Sequence, residues 1–323
     1  MSYRHNLEDW SQIIPERLVE DFSHGKPPVF FLGAGLGKEA LPPLPSGYDL
    51  EREARAHLGI KGDNADLSQL LQYMRNRETG DRQVHQWLKR MLLHDGTTSA
   101  KPSGTHYLCA ALPVREYLTT NYDLLIEEAA TQAFGRSAWL AVSHKEEFDS
   151  AVRKQDWQRV CWHIHGSFHE AHLPHIVATT ADYFEIYKND HLREGLKAIC
   201  ESQSVVFLGY SLRDFTTWTV FLAALNQSRK TMPPHVLVSP TDVGYEERFW
   251  SDYGIKYVPL KAFEFLIGLH GRLDLLKTEQ HWSWVVSAIK KTTVPDADKM
   301  IRAAMSAGSY VKVQSAALSL IEG

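Results

Sequence analysis

Four short apolar runs, each stopping at glycines or small polar residues, constrain the fold of this 323-residue chain more than any other feature. They are Val29-Phe30-Phe31-Leu32-Gly33-Ala34-Gly35, Leu118-Thr119-Thr120-Asn121-Tyr122-Asp123, Cys161-Trp162-His163-Ile164-His165-Gly166 and Val205-Val206-Phe207-Leu208-Gly209-Tyr210-Ser211-Leu212-Arg213-Asp214. Runs bounded in this way predict buried strands that end in loops. In an open α/β sheet, polar groups at several strand ends converge on one crevice, where such folds bind ligands. The spacing therefore predicts one site assembled from four distant segments.

The surrounding pattern agrees with that fold. Strands are predicted near residues 116–119, 159–164, 204–208, 235–239 and 255–259. Helices are predicted at 7–22, 123–134, 181–200, 212–226, 245–253, 262–276 and 280–291. This alternation points to a Rossmann-like, doubly wound α/β fold with a mainly parallel sheet. Residues 49–94 interrupt it with helical spacing, Leu67, Leu70, Leu71 and Met74 forming one apolar face and Trp87, Leu88, Met91 and Leu92 another. The segment from about 49 to 100 is predicted to be a helical insertion over the site. Pro295 marks a break, so the chain divides into residues 1–294 and a helical segment, 295–323, that resembles the start of a further helical or sensor region.

Composition excludes several classes. No apolar stretch reaches the roughly 18 residues a membrane helix needs, and the N-terminus is too polar for a signal peptide. A net charge of −4 without a long basic run argues against a dedicated nucleic-acid face. Cys109, Cys161 and Cys200 are scattered and odd in number, against a disulfide framework or a four-cysteine zinc site. The expected location is the cytoplasm.

Each strand end has a bland reading and a chemical one. Gly33 and Gly35 permit a tight turn, and backbone N–H groups there can hold a diphosphate. The dinucleotide fingerprint fails at Lys38, and a phosphate-binding P-loop fails at Leu32 and Glu39. Asn121 or Asp123 can cap the helix that follows, leaving the other side chain for the crevice. Ser211 can cap a helix or meet a phosphate or ribose, and Arg213 breaks the pattern of a serine-hydrolase elbow. The histidines at 163, 165, 169, 172 and 175 raise the question of a metal. His163 and His165 share a strand face, but Ser167 and Phe168 stand where a metallo-β-lactamase-type signature needs aspartate and histidine, and no metal is expected. His165, followed by Gly166, has an unperturbed pKa near ~6.5, suited to proton transfer at neutral pH.

Taken together and in this order, Gly-Ala-Gly after a strand, Thr-Thr-Asn-Tyr-Asp, His-Gly and Gly-Tyr-Ser-x-x-Asp resemble the sirtuin superfamily. More narrowly, residues 28–260 resemble the sirtuin-like domains of bacterial antiphage defence proteins. The resemblance implies that Gly33, Ala34 and Gly35 hold the diphosphate of NAD+, and that Gly209, Ser211 and Asp214 line the rest of the nucleotide. It implies catalytic roles for Asn121, beside the nicotinamide ribose, and for His165, working on a ribose hydroxyl or a water, with Asp123 supporting the loop or the ribose.

Deacylases of that superfamily carry a zinc ribbon of paired cysteines, which this sequence lacks. The chain therefore resembles the branch that cleaves NAD+ to nicotinamide and ADP-ribose, with restraint expected from a homo-oligomer, a regulatory partner or an appended sensor. A second departure is Gly37, where the family places serine or threonine. An NAD+ or ADP-ribose sensor without turnover is the alternative, and a protein deacylase a third reading.

Overall fold

The computed structural model describes residues 12–273, apart from 41, 63, 78–79, 94–99, 135–138, 144, 155–158, 170–172, 174, 189, 211–233 and 241–243. Seven strands, β1 (Val29–Leu32), β2 (Glu116–Thr119), β3 (Trp139–Val142), β4 (Arg159–His163), β5 (Val205–Leu208), β6 (His235–Val238) and β7 (Ile255–Val258), form one sheet. Their order is β3-β4-β2-β1-β5-β6-β7, and every neighbouring pair is parallel.

Helices cover both faces, so these strands are nearly continuous apolar runs rather than alternating ones. Successive side chains still point to opposite sides. Phe30, Leu32, Tyr117, Cys161, Val206 and Leu208 meet α1 (Glu16–Ser23), α5 (Gly104–Ala111), α6 (Leu125–Phe134) and α11 (Ala262–Arg272). Val29, Phe31, Leu118, Trp162, Val205 and Phe207 meet α7 (Lys145–Lys154), α9 (Asp190–Ser202) and α10 (Gly244–Asp252). This is the doubly wound, Rossmann-like arrangement expected from the sequence.

Strand β1 lies between β2 and β5. Connections after β1 build the sheet towards β3, and the connection after β4 returns to the other side of β1. Such a reversal parts the covering loops at the carboxyl ends of the central strands. The Gly33–Gly35, Asn121–Asp123, His165 and Gly209 segments follow β1, β2, β4 and β5, so all four leave the sheet at this edge.

The helical insertion comprises α2 (Gly47–Leu58), α3 (Leu67–Arg77) and α4 (Asp81–Leu93). Ser46 and Asp49 form a reciprocal capping box that starts α2. Leu50, Leu70, Leu71, Met74, Trp87 and Leu88 form its core together with Ile176 and Ala178, and Tyr122, Phe168 and Leu173 pack against it. The insertion thus covers the loops that follow β2 and β4.

The predicted helix at 181–200 is two helices, α8 (Thr180–Lys188) and α9. Strand β3 and helices α5 and α7 were not expected from the sequence. All eight residues of α5 are buried, so it has no polar face to reveal a helical period. The predicted helices at 212–226 and 280–291, the 295–323 segment, Ser211 and Asp214 lie outside the described residues. Among the described residues, no helix is long and apolar enough to cross a membrane.

Candidate active site at the strand ends

The glycine turn after β1 is built against the loop after β5. A Cβ at Gly33 would stand 2.6 Å from the Gly209 carbonyl oxygen and from Tyr210 Cα, and one at Gly35 would stand 2.6 Å from the same oxygen. Gly209 has φ +66°, and a Cβ there would approach Leu36 Cδ1 to 2.3 Å. The close neighbour that these glycines admit is therefore the β5 loop.

Two of the turn's amides are spent on that packing. Gly33 N–H donates to Leu208 O at 3.0 Å and Gly35 N–H to Gly209 O at 2.8 Å. Ala34 is exposed, and its N–H has no hydrogen-bond partner among the described residues. Gly37 makes room for Leu44, whose Cβ would lie 3.3 Å from a Cβ at position 37. The same glycine accepts Leu44 N–H at 2.9 Å, which gives a packing reason for the departure at this position.

Asn121 joins three strand ends. Its side-chain Nδ2 donates to Gly33 O at 3.1 Å, and its backbone N–H donates to Thr119 Oγ1 at 3.0 Å. Thr119 in turn donates its hydroxyl to Leu32 O at 2.9 Å. The Asn121 carbonyl accepts from His163 Nδ1 at 2.9 Å. The partly exposed Asn121 keeps Oδ1 as an acceptor at the crevice. Asp123 takes the capping role that the sequence left open between the two, accepting Leu125 N–H at 3.2 Å. Burial raises its pKa to about 6, the neighbouring Glu127 adding to the rise while the Leu125 bond and His163 oppose it.

His163 is a site residue whose actual partner the sequence does not reveal. It is fully buried at the end of β4, and its Nε2 lies 2.8 Å from Glu127 Oε1 on the first turn of α6. Burial alone would lower its pKa, but Glu127, the Asn121 carbonyl and Asp123 together raise it above the ordinary value. Both ring nitrogens face oxygen acceptors, an arrangement that favours a proton on each.

Cys161 lies beside this pair, the three donor atoms falling within 4.8 Å of one another. Burial, reinforced by Glu127, holds Cys161 as a thiol, while His163 and Glu127 are bonded to each other. The trio is thus a hydrogen-bonded ion pair with a thiol neighbour.

His165 is buried, and its carbonyl accepts Val177 N–H at 3.0 Å. Its ring packs edge to face on Tyr183 of α8, centroids 5.1 Å apart. The space beside Gly166 is taken by backbone, since a Cβ there would lie 2.7 Å from His175 O. Phe168 N–H donates to Tyr122 O at 2.8 Å, tying the His165 loop to the Asn121 loop. His169 and His175 are exposed on the following segment.

Residues 115–258, from β2 to β7, match the family described as the SIR2-like domain. The match is in keeping with the sirtuin-like order of the strand-end motifs. It is 26% identical to an NAD(+) hydrolase ThsA of Enterococcus faecium over 211 residues, covering 63% of this chain and 41% of that protein. It is 28% identical to one of Cytobacillus dafuensis over 204 residues, covering 62% and 39%. For one of Acinetobacter baumannii the identity is 28% over 216 residues, covering 64% and 41%. The chain spans about two fifths of the length of these curated relatives.

Proposed function

We propose that this chain is an NAD+ glycohydrolase that cleaves NAD+ to nicotinamide and ADP-ribose. The observation that carries this reading is the position of Asn121, bonded at once to the glycine turn, to Thr119 and to the ring of His163. The names of the similar proteins, NAD(+) hydrolase, support the same reaction.

In the proposed reaction the bond between nicotinamide nitrogen and ribose C1′ breaks. Its electron pair returns to the pyridinium ring, which leaves as a neutral group. Positive charge builds on the sugar, water adds to C1′, and one proton is released. Catalysis then requires placement and electrostatics more than covalent help. Asn121 Oδ1 accepts from the ribose or the attacking water, and His165 takes the proton. Asp123 holds the loop. Ala34 supplies an amide to the diphosphate, Gly33 and Gly35 keep the turn free of side chains, and Gly209, Ser211 and Asp214 line the other half of the nucleotide.

This chemistry fits a cytoplasmic effector that depletes NAD+ in antiviral defence. Such an activity needs restraint, from a homo-oligomer, a regulatory partner or a sensor region. The second reading is an NAD+ or ADP-ribose sensor without turnover. It draws on the burial of His165, whose 2% exposure keeps it from solvent.

Incubating purified protein with NAD+ and following nicotinamide by chromatography separates the two. Release by the wild type, lost in His165→Ala and Asn121→Ala while NAD+ still binds, supports the hydrolase. Binding without release in all three proteins favours the sensor. No binding at all would overturn both.

A further inference from the structure

We propose that Glu127 and His163 form a positioning pair for Asn121, a role that rests on the hydrolase reading above. The two residues are 36 positions apart in sequence and come from different elements, the first turn of α6 and the end of β4. The His163 ring spans from Glu127 Oε1, 2.8 Å from Nε2, to the Asn121 carbonyl, 2.9 Å from Nδ1. It carries the orientation of a helix to the backbone of one loop residue.

That backbone has a second anchor on the opposite side. Asn121 N–H reaches Thr119 Oγ1, and Thr119 is held by Leu32 O on β1. The Asn121 peptide is therefore clamped between β1 and α6, and its side chain extends from the clamp to Gly33 O at 3.1 Å. Without the ring, the carbonyl side of the peptide has no tie and the amide loses its fixed origin. Catalytic placement tolerates about half an ångström of such slack.

The pair is isolated from solvent, His163 being 0% and Glu127 12% exposed at the side chain. Removing one partner by truncation would leave the other as a buried uncompensated charge, which endangers folding. Glu127→Gln avoids this, and His163→Phe is made in the Glu127→Gln background so that no buried carboxylate loses its partner. His163→Phe keeps a flat ring and removes both hydrogen bonds. Glu127→Gln keeps the geometry with a neutral ring, because Nδ1–H still donates to Asn121 while Nε2 accepts from the new amide.

The test combines steady-state nicotinamide release with 15N NMR of the Asn121 side-chain amide in the full chain. In that background His163→Phe should lose about 10²-fold in kcat with KM little changed, because displacement of a positioned group acts on the transition state. Its Asn121 amide signal should shift and exchange faster than in the wild type. Glu127→Gln should lose less than about tenfold, a neutral hydrogen bond replacing a charge-assisted one, and should leave the Asn121 signal in place.

Wild-type turnover in the double variant, or an equal loss in the double and Glu127→Gln variants, would overturn the proposal. An Asn121 signal unmoved in the double variant would overturn it whatever the turnover. A wild type that releases no nicotinamide would sink the hydrolase reading instead, and the amide signal would still decide whether the pair holds Asn121.

Discussion

The rings of His165 and Tyr183 meet edge to face, centroids 5.1 Å apart and planes at 86°. One belongs to the loop after β4 and the other to α8, so the helix fixes the plane of the imidazole. Edge-to-face pairs contribute about 0.5–1.5 kcal/mol beyond the area they bury. On the proposed hydrolase reading, in which His165 takes the proton, losing that orientation should cost turnover accordingly. Tyr183→Ala is expected to lower kcat for nicotinamide release by about tenfold. Tyr183→Phe, which keeps the ring, is expected to retain it. Equal rates for Tyr183→Ala and wild type would show that the imidazole plane is held elsewhere.

Gly209 combines a left-handed backbone, φ +66°, with contact against Leu36 N that leaves a Cβ only 2.8 Å away. Left-handed strain and overpacking against backbone together predict about 3 kcal/mol of destabilisation for Gly209→Ala. Gly47, at the start of α2, has nothing within 4 Å of a built Cβ. Gly47→Ala should be neutral or slightly stabilising, since alanine is the better helix former. Urea midpoints of the two variants check the contrast. A Gly209→Ala protein as stable as wild type would mean that the β1 and β5 loops can part without cost.

Much of this arrangement was legible because strand ends carry local signals. The Gly-Ala-Gly turn, Asn121 and His165 each follow an apolar run, and a parallel sheet must bring such ends to one edge. What stayed hidden depends on partners far away in sequence. The sequence permitted Gly33 and Gly35 to face a ligand or a tight turn, and only the fold reveals Gly209 as their neighbour. His163 carried no sign of Glu127, since a histidine in a cluster of five suggests metal as readily as an ion pair. Helix α5 escaped because burial on all sides erases amphipathic spacing. Strand β3 is a four-residue run at the sheet edge that ends at Ser143, and its polar stop was not read as a strand end in the sequence.

Arg75 of α3 ties the insertion to the segment that covers His165. Its guanidinium reaches Asp182 Oδ1 at 3.0 Å, Thr179 Oγ1 at 3.2 Å and Asp81 Oδ1 at 2.6 Å. Asp182 also accepts the N–H groups of Ala178 and Thr179, so the network fixes the start of α8. Arg75→Ala should destabilise by about 1 kcal/mol, a value screened down in concentrated salt. Amides of α8 should exchange with solvent faster in the variant. Arg75→Lys should recover little, because an ammonium cannot reproduce the planar fork. Unchanged exchange in α8 would assign the hold on that helix to its apolar contacts.

Asp123 makes stability depend on pH in a direction set by its burial. Its pKa in the fold is about 6 against an ordinary 3.8. Below both values the folded and unfolded chains are equally protonated at this site, and it contributes nothing. Between them the folded chain keeps a proton that the unfolded chain has released, so stability falls as pH rises through that window. Above pH 6 the penalty is constant, on the order of 2 kcal/mol for a partly covered group. Asp123→Asn retains a carbonyl oxygen for Leu125 N–H, 3.2 Å away in the wild type, and carries no charge. Its urea midpoint should exceed that of the wild type at pH 8, and the gap should close towards pH 4. A gap of the same size at both pH values would mean that Asp123 does not titrate between them. A gap that widened at low pH would mean that the carboxylate is stabilised by its neighbours and reverse the assignment.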